Sequence, residues 1–277
     1  MSAISINNLT KTFRSHSGHI LALDEVTFEV KTGSITGFLG PNGAGKSTTM
    51  NILLGFINKD SGVAQILGHP VGPGYPAARS DIGFLSNNFS LDKSFTVGQE
   101  LEFLGRLSGK YDQEYSKRLA ARLGVGWNEK IGNLSTGNYQ KVAIASAIQT
   151  KPKLLILDEP TNGLDPLVQA EFNKIIRELS STGSTIFISS HILSEVSELC
   201  DEFIFIKKGR VAAHMTKQEI DSQSGQVLTI KPNSKNRALI LNFLNDNDID
   251  YSVETGDLEQ TFMEFYDQDL TASGKEK

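Results

Sequence analysis

The run Gly40-Pro41-Asn42-Gly43-Ala44-Gly45-Lys46-Ser47-Thr48 puts three glycines, an ammonium and two hydroxyls on one short stretch of chain. That set of groups suits a polyphosphate. Gly40, Gly43 and Gly45 let the chain take positive φ and bring backbone amides close to an anion. A helix opening near Lys46 would turn its unpaired N–H groups and positive dipole end onto the same phosphates. Lys46 can reach the terminal phosphates, and the Ser47 hydroxyl can ligate Mg²⁺. The spacing is G-x-x-x-x-G-K-[ST], and an apolar run at 34–39 precedes it, as a strand-to-helix phosphate loop requires. The sequence predicts a bound nucleoside triphosphate, with Pro41, Asn42, Ala44 and Thr48 completing the cradle.

Three further groups could act on that triphosphate. The apolar run 154–157 ends in Asp158 and Glu159. A carboxylate at a strand's carboxyl end can hold Mg²⁺ directly or through water, which suits Asp158. Glu159 is then placed to orient and deprotonate a water attacking the γ-phosphate. A strand cap followed by an exposed acid is the plainer alternative. Ser135 and Gly137 open a second helix, whose amides could receive another anion, although the pattern is also a common N-cap. One chain cannot easily aim two helix starts at one phosphate, which points to a nucleotide shared between two copies. His191 follows a strand-like run at 185–190, where ligands collect in open α/β sheets. It reads as a γ-phosphate contact, with a simple loop residue as the alternative.

The elements that must position these groups alternate. Buried-looking strands are expected at 36–39, 82–85, 154–157 and 185–189, with helical runs between them. That order predicts a mainly parallel sheet with helices on its faces. Before it, 3–9 and 21–30 read as antiparallel strands, and 31–33 as a turn. Between 89 and 150 the strand signal gives way to helical spacing at 97–107, 113–123 and 138–149, a helical insertion. A polar stretch at 219–225 reads as a linker. A small αβ unit follows, with strands at 226–230 and 250–254 and helices at 237–244 and 258–266. Residues 271–277 read as a disordered tail.

The chain has 277 residues and a formal net charge of −5, so nothing favours a nucleic-acid surface. Its one cysteine, Cys200, excludes a disulfide framework and fits a reducing compartment. Cys200 lies on the apolar side of a helical stretch at 192–199 and reads as a core thiol. The first residues lack the basic and apolar regions of a secretory signal. Apolar runs are too short to cross a bilayer.

Taken in order, these segments resemble the nucleotide-binding subunit of an ABC transporter over about residues 4–215. The likeness rests on the Walker A loop at 40–48, the signature Leu134-Ser135-Thr136-Gly137-Asn138 and Walker B, Leu157-Asp158-Glu159. A stretch similar to the D-loop, Pro160-Thr161-Asn162-Gly163-Leu164-Asp165-Pro166, and the switch His191 complete it. The resemblance implies an α/β P-loop NTPase (RecA-like) fold. It would have a mainly parallel sheet, an antiparallel β subdomain, a helical insertion at 89–150 and a small C-terminal αβ unit at 219–270 after an ATP-binding domain at 1–218. It implies ATP and Mg²⁺ as ligands and a head-to-tail dimer, of two identical or two similar subunits. Each ATP would lie between Walker A of one protomer and Ser135/Gly137 of the other. Phe13 is assigned by the same likeness to stacking on adenine, and Lys46, Glu159 and His191 to catalysis.

Two departures stand out. Asn87 replaces the family's glutamine, a shorter amide toward Mg²⁺ or water. Thr136 replaces a glycine, and a β-branched residue disfavours positive φ. The ending at 257–266 is similar to exporter-type subunits of drug, antibiotic and sodium efflux systems, and its apolar residues recur at helical spacing.

The resemblance thus implies ATP-driven export through a separate integral-membrane permease, with this chain cytoplasmic and peripheral at the inner face of the cell membrane. The permease groove is expected in 88–103, where Phe89, Leu91, Phe95 and Val97 look exposed, while Leu101 and Leu104 look like core. A soluble ABC ATPase with a regulatory or ribosome-associated role is the alternative. A subunit that binds ATP without useful turnover is the third reading.

Overall fold

The computed structural model describes residues 2–15, 18–72, 79–86 and 89–223, with 240 and 242 beyond them. Two sheets carry the site. The first contains β1 (Ser2–Ser15), β2 (Gly18–Lys31), β4 (Ser61–Ile66) and β5 (His69–Pro70), all antiparallel, in the order β2-β1-β4-β5. The second contains β3 (Ile35–Leu39), β6 (Ile82–Leu85), β7 (Leu154–Asp158), β8 (Thr185–Ser190), β9 (Glu202–Lys207) and β10 (Arg210–Thr216), in the order β10-β9-β3-β8-β7-β6. Its neighbours run parallel except β10, which returns antiparallel along β9. The helices are α1 (Lys46–Leu53), α2 (Val97–Leu107), α3 (Gln113–Arg122), α4 (Thr136–Ile148), α5 (Pro166–Ser181), α6 (Leu193–Ser197) and α7 (Lys217–Gln223).

Sequence pattern accounts for the two sheets. Every residue of β3, β7 and β8 is buried, as strands of a parallel sheet covered on both faces should be. The second half of β2 alternates buried and exposed positions, which marks a sheet wet on one side. The sheets meet through an aromatic trio. The Phe28 ring of β2 lies 5.4 Å from Phe38 of β3 and 5.7 Å from Phe187 of β8. Offset rings at such separations add about 0.5–1.5 kcal/mol per pair beyond the area they bury.

The helical insertion forms as its spacing predicts, with α2, α3 and α4 at 97–107, 113–122 and 136–148. Thr96 starts α2 with a full capping box against Gln99, and Asp112 caps α3. Strands β4, β9 and β10 are absent from the sequence reading. The run in β9 is too short for periodicity to separate strand from helix, and Gly62, at φ +84°, interrupts β4.

The exposure expected along 88–103 is corrected at two positions. Leu91 and Val97 are core, at 4% and 0% exposure, not groove residues. The reason is a local pairing: the Val97 and Gly98 amides bond to the Glu129 and Trp127 carbonyls, and the Ile131 amide to the Phe95 carbonyl. Leu91 is pinned by the Tyr139 hydroxyl of α4, which accepts its amide at 2.6 Å. The exposed apolar groups lie further along α2, at Phe103 (53%) and Leu107 (76%). Leu101 is buried and Leu104 partly so, as expected.

Residues 219–223, read as linker, belong instead to α7. Thr216 and Glu219 close a capping box, the Glu219 carboxylate accepting the Thr216 amide at 2.7 Å and the Thr216 hydroxyl accepting the Glu219 amide at 3.2 Å. The chain divides after Ile220 into two units. Apart from residues 240 and 242, both helical, the strands and helices expected between 226 and 266, and the tail at 271–277, lie outside the described residues.

Candidate functional site

Three parallel strands deliver their carboxyl ends to one place. Leu39 of β3 pairs with Ser190 of β8, and Asp158 of β7 with Ser189 of β8. The chain leaves those ends at Gly40, Glu159 and His191, so the phosphate loop, the acidic pair and the histidine converge.

The loop is shaped by close approach. A side chain at Gly40 would run into the Ile206 carbonyl of β9. Gly45 has φ +112° and serves as the N-cap of α1, with no side chain capping the helix. The first amides of α1 therefore have no capping oxygen, and an anion is what such amides accept. Lys46 folds back over the loop. Its Nζ donates to the Gly40 carbonyl at 2.6 Å and lies 3.2 Å from Glu159 Oε1.

Glu159 itself is in an unusual conformation, with φ 51°. That turn out of β7 aims the side chain at two partners, because Oε2 also lies 2.7 Å from His191 Nδ1. Glu159 is 5% exposed and Asp158 likewise. A carboxylate this buried needs such partners. Asp158 Oδ1 accepts from the Ser189 hydroxyl at 2.6 Å.

A cavity of about 360 Å³ opens on this cluster. Asn42, Gly43, Gly45, Lys46, Ser47 and Thr48 line it with Glu159, Asn162, His191 and Ala22. The sequence reading placed most of these here. Gly40, Pro41 and Ala44 form the loop's turn and are not among the lining residues; the Ala44 amide bonds to the Pro41 carbonyl. Phe13 is not in the lining either. It lies on β1 opposite Ile20 of β2, with the Lys11 ammonium 5.4 Å over its ring.

Ser135 and Gly137 stand apart from the cavity lining. Ser135 is the N-cap of α4, its Oγ accepting the Asn138 amide at 3.3 Å. Thr136 begins the helix and is not among the residues with positive φ, so its β-branch carries no penalty there. Asn87 lies outside the described residues. Behind the cavity, α4 reaches the segment after Glu159: Gln140 Nε2 donates to the Pro160 carbonyl at 3.2 Å. Thr161 Oγ1 donates to Glu195 of α6 at 2.8 Å.

The sequence reading missed Ser189, Asn162 and Ala22. Asn162 sits three residues past Glu159, inside the motif already recognised. Ser189 and Ala22 give no local signal: the β7–β8 pairing brings in Ser189, and the close approach of β2 to Gly45 and Gly209 brings in Ala22. Cys200 is a core thiol as expected, and burial pushes its pKa up to about 12.

The donor set also fits a hard divalent cation. Among the described residues no three His, Cys, Asp or Glu side chains cluster as a metal cage. Ser47 lines the cavity, and Asp158 ends β7 just outside that lining; one hydroxyl and one carboxylate make the sparse donor set that suits an ion sharing its shell with substrate phosphates, as Mg²⁺ does.

Residues 23–162 match the family described as ABC transporter. The chain is 35% identical over 213 residues to the Nod factor export ATP-binding protein I of Sinorhizobium fredii, covering 75% of this chain and 61% of that protein. It is 33% identical over 256 residues to the probable multidrug ABC transporter ATP-binding protein YbhF of Escherichia coli, covering 91% of this chain and 43% of that one. The chain thus spans less than two thirds of either relative. Among solved structures, a dimeric bacterial ABC transporter cassette, MJ0796, is 26% identical with a TM-score of 0.70, over 77% of this chain and 98% of that one.

Proposed function

The chain belongs to the ABC transporter family, and from that premise we propose that it is the ATP-hydrolysing subunit of an exporter with a separate membrane permease. The observation that carries the catalytic part is the buried Lys46–Glu159 pair, bonded to the solvent-exposed His191 and facing the glycine cradle.

In this reading the amides of the loop and of the start of α1 bind the phosphates, and Lys46 neutralises charge at the terminal ones. Ser47 and Asp158 hold Mg²⁺, which when bound neutralises charge on the phosphate oxygens. Glu159 orients a water and takes its proton as the water oxygen attacks the γ-phosphorus and the bond to ADP breaks. His191 holds Glu159 Oε2 and thereby sets the direction in which the base points. Phe13 stacks on the adenine, and Asn87 reaches Mg²⁺ or water.

Two copies, or this chain and a similar ATPase, share each nucleotide. Ser135 and Gly137 lie outside the lining of their own chain's cavity and begin a helix suited to an anion. The dimeric solved cassette supports that arrangement. Export is supported by the names of the relatives, one an exporter of Nod factor and one a probable multidrug type. The permease docks against the apolar groups that α2 exposes, Phe103 and Leu107, beside the partly buried Phe89 and Phe95. Beside that permease the chain works at the cytoplasmic face of the cell membrane. Among the described residues no helix is long and apolar enough to cross a membrane.

A pull-down in mild detergent from membranes, with this chain as bait, tests the transporter reading. Recovery of a polytopic membrane protein is expected. Recovery of ribosomes without one would replace it by a soluble ABC ATPase.

A further inference from the structure

We propose that Ser189 is the positioning residue for both acids of the site, one hydroxyl fixing Asp158 and Glu159 together. The proposal rests on the roles given to those two carboxylates above.

Strand pairing puts Ser189 beside Asp158 across the parallel ladder of β7 and β8. Its Oγ donates to Asp158 Oδ1 at 2.6 Å and accepts the Glu159 backbone N–H at 3.0 Å. The hydroxyl is thus donor to one acid and acceptor from the next. The side chain is fully buried, so bulk water cannot take either place.

Each bond constrains a different property. The first fixes the orientation of the carboxylate assigned to Mg²⁺, as hydrogen bonds to metal ligands generally do. The second holds the amide of a residue at φ 51°, a region sparsely populated by residues other than glycine. That backbone turn is what directs the Glu159 side chain to Lys46 and His191. The neighbouring Ser190 has a separate task, since its hydroxyl bonds within its own loop to the Ile192 amide and carbonyl and to Glu195. Ser189 alone of the two joins β8 to the acids.

The test compares Ser189→Ala, which deletes the hydroxyl with little change in volume, and Ser189→Thr, which keeps it. Affinity for ATP is measured by calorimetry in Mg²⁺ and in EDTA, in a Glu159→Gln background that removes turnover from the readout. The gain in affinity conferred by Mg²⁺ should fall about 10-fold in Ser189→Ala and return in Ser189→Thr, with affinity in EDTA unchanged. With Glu159 intact, Ser189→Ala should lower kcat about 10-fold or more, with the thermal midpoint measured alongside. An unchanged Mg²⁺ gain and kcat in Ser189→Ala would overturn the proposal. So would an equal loss of affinity with and without Mg²⁺, which marks general damage to the loop. If the parent protein does not hydrolyse ATP, the functional reading fails first and this inference with it.

Discussion

The Lys46 ammonium lies 3.2 Å from a Glu159 carboxylate oxygen, both side chains almost wholly buried. The residue proposed to face the phosphates and the residue proposed to orient the water therefore stabilise one another. Lys46→Met should weaken ATP binding at least tenfold. It should also lower the free energy of unfolding by about 3 kcal/mol, because a buried carboxylate loses its cation. Equilibrium unfolding in urea and calorimetric titration with ATP read the two effects separately.

Gly40 has no room for a side chain, because a Cβ there would meet the Ile206 carbonyl of β9. Backbone cannot yield as a flexible side chain would. Gly40→Ala should cost about 1–3 kcal/mol of stability and displace the loop. Gly43→Ala meets no neighbouring atom and strains only φ, at +78°. Thermal midpoints of the two variants should fall in that order, Gly40→Ala being the lower.

The shared-nucleotide arrangement predicts a change of mass. In Mg²⁺ and ATP, the Glu159→Gln protein should shift from monomer to dimer in light scattering. Adding Ser135→Arg should abolish the shift while leaving ATP binding to the single chain intact. A monomer under all conditions would remove the case for a second copy.

Much of this was legible in the sequence, and particular residues show why. Lys46, Ser47, Asp158 and Glu159 lie in continuous runs whose chemistry is complete within a few positions, so local pattern suffices. The strands that lead into them, β3 and β7, are mostly apolar and could be read as buried. Ser189 is different: it is one more small polar residue in a strand until the β7–β8 register sets it beside Asp158. Leu91 and Val97 show the opposite failure. Their loop looks exposed in sequence, yet backbone bonds between 95–98 and 127–131 fold it inward. Long-range pairing, not composition, decides both.

Arg122 of α3 ties the helical insertion to α5. Its guanidinium makes paired bonds to Glu178 at 2.6 and 2.8 Å and a third to Glu171 at 2.5 Å. The guanidinium beside Glu178 holds that carboxyl below its ordinary range. A lowered carboxyl pKa stabilises the fold above its unfolded value, and the benefit is lost as pH falls through the folded value. Arg122→Ala should therefore cost up to about 1 kcal/mol at pH 7, the pair being partly solvated. The difference from wild type should shrink as the pH drops below 4.3, roughly the unfolded carboxyl value. Urea unfolding at pH 7, 5 and 3.5 follows it.

The phosphate-releasing step gives the most direct test of the whole account. Purified wild-type protein and Glu159→Gln are compared for phosphate release from ATP in Mg²⁺. Transfer of the water's proton to Glu159 predicts a loss of about 10²–10⁴-fold in the variant, with ATP still bound. Equal rates would contradict it.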